Sequence, residues 1–161
     1  ERSDILRHMS FAHRARFDAF GVEVLARDDE YAELAFVADD RPGLLAIVTA
    51  ALASARLSVV GAQIYSWLDA SGRVRALDLF WVRGSDTADA VVALLPRLER
   101  DLARLLSGEI APADLVRRGT KAPKWSERRT PDVPTEVAFD DRASAHTVLE
   151  VTTRDRPGLL F

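Results

Sequence analysis

The chain has 161 residues, 48% of them hydrophobic and 29% charged, with a formal net charge of −3 and no cysteine. That allows one medium domain or two small ones, with enough apolar material for a core. It excludes disulfides, thiol nucleophiles and thiolate zinc sites, and it offers no basic excess to attract nucleic acid.

Residues 1–20 read as a helix, with Ile5, Leu6, Met9, Ala12 and Phe17 as a loose apolar stripe and Gly21 as its stop. Gly21 to Arg27 alternates briefly before a charged turn at Asp28, Asp29 and Glu30. Tyr31 to Val37 reads as a half-buried strand, with Ala32, Leu34 and Phe36 on one face and Glu33 and Ala35 on the other. Asp39 to Gly43 is a turn cluster, and Pro42 suits a helix start. Leu44, Leu45, Val48, Ala51, Leu52 and Ala55 then predict a helix over about 42–55.

Leu57 to Trp67 reads as a strand with Val60, Ala62 and Ile64 on one face, and Ser71-Gly72 as the turn into a returning strand, Val74 to Val82. That strand is apolar on both faces: Phe80 and Val82 lie with Ala76 and Asp78, against Leu77, Leu79 and Trp81. Its second face needs a cover from a partner subunit, the N-terminal helix or a second domain. A further helix follows, capped at Ser85-Asp86, with a stripe from Ala88 to Leu106 and a bend expected at Pro96. Residues 107–134 read as a basic connector punctuated by Gly and Pro, with a short helix near Ala113 to Arg118. Thr135 to Phe139 and Thr147 to Thr152 are two more strands.

The order strand, helix, strand, strand, helix over 31–106, closed by the strand near 135–139, predicts an α+β, ferredoxin-like βαββαβ domain: an antiparallel sheet with two helices on one face. The organisation expected is a helix and linker segment from an upstream domain over 1–27, a first domain over 28–106, the connector over 107–134, and over 135–161 the completing strand plus the start of a second domain. The chain opens without methionine and closes on Leu159, Leu160 and Phe161, so it is expected to be cut from something larger. No apolar run is long enough to span a bilayer, and the charged opening lacks the order of a secretory leader; a cytoplasmic location is expected.

The most informative feature is a repeat. Asp40-Arg-Pro-Gly-Leu-Leu45 recurs as Asp155-Arg-Pro-Gly-Leu-Leu160, 115 residues on, each copy preceded by a strand. At these residues the chain resembles the ACT domain family, whose βαββαβ fold carries such a junction between its first strand and first helix. Leu57 to Ile64, Arg75 to Phe80, the basic connector through Lys121, Lys124 and Arg129, and Pro134 to Phe139 are similar to the tandem-ACT regulatory region of the bifunctional PII uridylyltransferase/uridylyl-removing enzymes. The resemblance implies a non-catalytic, amino-acid-sensing region, glutamine first, controlling uridylylation of the PII protein. It also implies a parent enzyme that needs Mg or Mn, and ACT–ACT pairing as a possible homo-oligomer. The ligand residues it implies are Asp40, Arg41, Pro42, Gly43, Leu44, Leu45 and Ser58, and in the second copy Asp155, Arg156, Pro157, Gly158 and Leu159. Ser58 and Gly61 depart from the Asn and Asp frequent in the family, which bears on ligand identity.

The junction can be read without the family. A helix start presents unpaired N–H groups and partial positive charge to a carboxylate. Gly43 lets a ligand approach the backbone, Asp40 can receive an ammonium group and Arg41 can pair with a carboxylate. The same residues also make an ordinary strand-to-helix turn, with Asp40 as its cap. His8, His13 and His146 are scattered, Asp4 and His8 read as a solvated helix face, and Trp67, Trp81 and Trp125 as core or interface residues. No nucleophile elbow, phosphate loop or paired metal motif is present, so no catalytic residue is expected in the chain. The readings left open are an interaction module without ligand, and an ACT region of another metabolic enzyme.

Overall fold

The structure is a computed structural model that describes residues 2–84, 88–120, 132–142, 147–154 and 159. Its elements are α1 (Arg2–Arg14) with a 3-10 turn (Ala15–Phe17), β1 (Phe20–Arg27), β2 (Ala32–Asp39), α2 (Leu44–Ser54), β3 (Ser58–Leu68), β4 (Val74–Arg83), α3 (Ala88–Leu106), α4 (Pro112–Thr120), β5 (Glu136–Asp140) and β6 (Val148–Thr152).

β1 to β4 form one antiparallel sheet in the order β1-β2-β4-β3. The chain is therefore α+β, compatible with a ferredoxin-like arrangement. One expectation is corrected. The edge strand beside β2 is β1, which reaches it by a short turn, whereas β5 pairs with β6 in a separate two-stranded sheet. A tight hairpin closes a small loop, and such a contact forms at lower entropic cost than one across a hundred residues. Phe20 to Arg27 thus belongs to the sheet rather than to a linker.

The side chains of β2 alternate between two faces as its sequence predicts, but both faces are buried in cores rather than one, because α1 covers the second. On one face Ala32, Leu34, Phe36 and Ala38 join Ala76, Phe80 and Val82 of β4 under α2, α3 and α4. Phe36 and Phe80 meet edge to face at 5.7 Å, the geometry favoured by the ring quadrupoles. α3 supplies Val91, Leu98, Leu102 and Leu105 and runs unbroken through Pro96. α4, the short helix expected inside the connector, adds Leu115.

On the other face Ala35, Val37, Leu77 and Leu79 pack with Phe11 and Ala15, flanked by Trp67 and Trp81. The N-terminal helix is therefore the cover that β4 requires. It lies on its other side from the one its sequence suggests. Phe11 is 4% exposed, whereas Ile5, Leu6, Met9 and Phe17 are exposed at 57%, 65%, 63% and 78%. The inward stripe is Asp4, His8, Phe11, Ala12 and Ala15 at helical spacing. His8 is no solvated residue: its Nε2 lies 2.6 Å from Glu33 Oε1. A polar pair thus occupies part of the buried stripe, which is why hydrophobicity alone misplaces it.

Arg75 pins this layer. Its side chain is fully buried; Nη1 donates to the Asp18 carbonyl and to Asp39 Oδ1, both at 3.0 Å, and Nη2 donates to the Ala15 carbonyl at 3.1 Å. The carbonyls freed where α1 ends are thereby satisfied. At Gly21 a Cβ would lie 3.0 Å from that of Ala15, so β1 can pass beneath the helix end only without a side chain.

The second sheet repeats the first hairpin. Glu136, Val137, Ala138 and Phe139 pair with Thr152, Val151, Glu150 and Leu149. Moved back by 115 positions these are Gly21, Val22, Glu23 and Val24 against Val37, Phe36, Ala35 and Leu34, the register of β1 on β2. The duplicated unit is thus a hairpin plus the junction after it, longer than the strand and junction read from sequence.

Three substitutions test this architecture. Arg75→Leu leaves three acceptors short of a donor, and we expect a loss of about 2–4 kcal/mol in urea unfolding with faster amide exchange over 8–18; an unchanged midpoint would remove the guanidinium from this account. Phe11→Ala should cost about 3 kcal/mol, whereas Leu6→Ala should stay within about 0.5 kcal/mol. The reverse ranking would mean that α1 presents its other face.

Candidate functional site

The junction Asp40 to Gly43 connects β2 to α2, and Asp40 to Gly43 are all exposed. Gly43 is the N-cap residue of α2, at φ 83°, with nothing near the position of an added Cβ. In this left-handed region an L side chain is strained, so glycine is required by conformation rather than by crowding.

Asp40 does not cap the helix. Its Oδ2 instead accepts a hydrogen bond of 2.6 Å from Ser66 Oγ on β3, while its backbone N–H donates to the Val74 carbonyl. No side chain caps α2. In its first turn the Leu44 N–H donates to the Arg41 carbonyl at 3.1 Å, while the N–H groups that follow receive no side-chain cap and carry the positive end of the helix dipole. Arg41 turns away, and its Nη2 donates to the Leu106 carbonyl at the end of α3, at 3.1 Å. There it satisfies a C-terminal carbonyl rather than standing over the junction.

Of the remaining predicted site residues, Pro42 is exposed, Leu44 is buried in the main core and Leu45 is exposed on the first turn of α2. Ser58 is not brought to the junction: it opens β3, paired with Arg83, whereas Ser66 near the other end of β3 meets Asp40. Eight residues of strand separate them by about 26 Å. Asp155, Arg156, Pro157 and Gly158 lie outside the described residues, as do His146 and Trp125; Leu159 is described and exposed.

Sequence reasoning missed Asp78. It sits in the middle of β4, opposite Phe36 on β2 and Ile64 on β3, one pairing step from Ser66 opposite Ala76. It therefore shares the α2-side face with Ile64 and Ser66. Asp78 is 2% exposed, and its Oδ1 is buried without a hydrogen-bond partner. Burial, with the charge of Asp40 nearby, pushes its carboxyl up to about 6. The available signal was a carboxylate on the apolar face of a doubly apolar strand, a position that charged residues seldom occupy unpaired.

A concavity of about 510 Å³ lies by α1 and is lined by Asp4, Arg7, His8, Arg27, Glu33 and Trp81 among others. Its charges are largely matched: His8 meets Glu33, Arg7 pairs with Asp4, and Arg27 pairs with Asp89. The junction differs in holding a buried carboxylate oxygen with no partner beside an uncapped helix start.

Among the described residues, no group of three or more His, Asp or Glu side chains is placed to hold a metal ion, and no helix is long and apolar enough to cross a membrane.

No protein-family model matches the chain, and no solved structure does. Curated proteins do. The chain is 36% identical over 164 residues to the bifunctional uridylyltransferase/uridylyl-removing enzyme of Rhodospirillum rubrum, 33% over 163 residues to that of Ruegeria pomeroyi, and 32% over 188 residues to that of Azospirillum brasilense. These matches take in 97%, 96% and 100% of this chain but 17%, 17% and 20% of the relatives. Along nearly its whole length, then, the chain is similar to a fifth or less of these bifunctional enzymes.

Proposed function

We propose that the chain is an ACT-type regulatory region of a bifunctional PII uridylyltransferase/uridylyl-removing enzyme, and that it binds an amino acid, glutamine first, at the junction between β2 and α2. The open first turn of α2 carries this reading. Asp40, the residue able to cap it, is drawn to Ser66 instead, and the helix start is left to an anion such as a ligand carboxylate. The duplicated hairpin and junction support a tandem arrangement. The likeness to the bifunctional enzymes supports the parent.

Under this reading the chain itself is non-catalytic. The catalytic groups, and the Mg or Mn expected to serve them, belong to other parts of a cytoplasmic parent enzyme whose protein partner is PII. Glutamine acts by binding one state of that enzyme more tightly than the other, because a ligand shifts an equilibrium only by its differential affinity.

A second reading, an interaction module without ligand, has one observation in its favour. β3 is a sheet edge on which Val60, Ile64, Tyr65 and Leu68 are exposed, a surface that suits pairing with another copy.

Calorimetric and thermal-shift titration of the chain with the twenty amino acids separates the two. We expect a selective rise in melting temperature with glutamine, abolished in Gly43→Val because a branched side chain disfavours φ 83°. A chain that binds no amino acid, yet gains mass with concentration, would overturn the sensor in favour of the interaction module.

A further inference from the structure

We infer that Asp78 is the group that receives the ammonium of the bound ligand, which makes the junction specific for α-amino acids rather than for carboxylates in general. The inference deepens the proposed reading of the junction and rests on it.

A carboxylate in the middle of a sheet face is ordinarily paired, because an unpartnered buried charge is costly. Asp78 is not: its Oδ1 lacks any partner, although Ser66 stands one pairing step away. The Ser66 hydroxyl is turned to Asp40 instead. The two carboxylates are therefore close neighbours, and the charge of Asp40 raises the cost of negative charge on Asp78. A cation there relieves both, and a primary ammonium group has three donors to share between them.

Among the described residues, no cation supplies this charge. The cross-strand neighbours of Asp78 are Phe36 and Ile64, α2 has no charged residue, and Arg41 is committed to the end of α3. In this inference the ammonium is the ligand's. The same ligand's carboxylate then faces the uncapped first turn of α2, so the two ends of a zwitterion meet opposite charges. Asp40, held by Ser66, is exposed at the surface, whereas Asp78 lies buried on the sheet beside it.

The carboxyl of Asp78 titrates near 6, and Asp40 is the charged group that acts on it. Below that pH a proton occupies the position of the ammonium, so binding weakens as pH falls. For the free protein the sign is opposite. The folded chain holds this proton more tightly than the unfolded chain, whose carboxyl titrates near 3.8. Stability is therefore lost as pH rises through the window from 3.8 to about 6. Asp78→Asn escapes that loss and should melt no lower than wild type at pH 8, which serves as the folding control.

The test is calorimetric titration of wild type and Asp78→Asn with glutamine and with glutaric acid monoamide, which is glutamine without its amino group. Wild type should bind glutamine about 10- to 100-fold more tightly than the monoamide, and Asp78→Asn should lose that preference while keeping the monoamide's affinity. Wild-type affinity for glutamine should also drop about tenfold from pH 7 to pH 5, and that of Asp78→Asn should not. Equal binding of glutamine by wild type and variant would overturn the role of Asp78 and leave the junction as a site. Parallel loss of both ligands would assign Asp78 a structural role and overturn it too. Failure of wild type to bind glutamine or any other amino acid would bring down the reading of the junction itself. If Asp78→Asn does not fold, the wild-type pH series with the two ligands decides alone: a monoamide profile as steep as that of glutamine overturns the inference.

Discussion

Strands β2 and β4 are apolar on both faces, and the rest of the architecture answers to that constraint. A sheet of this kind needs two covers. α2, α3 and α4 supply one, over Phe36, Phe80 and Val82. α1 supplies the other, over Val37 and Leu79. Because α1 is short and only partly apolar on its inner side, burial by itself is supplemented there by polar contacts. The guanidinium of Arg75 closes off the helix end, and His8 meets Glu33 beneath the helix.

The junction inherits its chemistry from this packing. β4 is central, so any polar residue on its inner faces is cut off from water. Arg75 on one side and Asp78 on the other are both almost wholly buried. Arg75 finds acceptors for its two terminal nitrogens, because the end of α1 brings carbonyls to it. Asp78 faces aromatic and aliphatic neighbours and a second carboxylate. The same strand thus carries a guanidinium whose two terminal nitrogens are bonded, although its Nε is not, and a carboxylate oxygen without a partner.

The duplicated hairpin shows how the unit is delimited. β5 and β6 keep the register of β1 and β2, and Val137, Phe139, Leu149 and Val151 stand where Val22, Val24, Leu34 and Phe36 face the main core. In the second hairpin these four side chains are exposed. The repeat therefore preserves which side of the hairpin is apolar as well as its pairing, as expected for a unit whose inner face is made to be covered.

Local chemistry in the sequence was sufficient for the strand β2, for β4 and its two apolar faces, for α2, α3 and α4, for the hairpin turn at Ser71-Gly72, and for the repeated junction. Periodicity, turn residues and identity at a fixed offset are all properties of short stretches, and they survive whatever the rest of the chain does. What the tertiary structure alone decided were the contacts between distant stretches. These are the placement of β1 rather than β5 at the sheet edge, the inward turning of His8 and Phe11 in place of Leu6 and Met9, the capture of Asp40 by Ser66 and of Arg41 by the end of α3, and the separation of Ser58 from the junction. Asp78 is the sharpest case. Its sequence neighbours mark it as facing inward, but only the packing of β3, β2 and the junction around it leaves its carboxylate without a partner, because the presence or lack of a hydrogen-bond donor depends on residues far away in the chain.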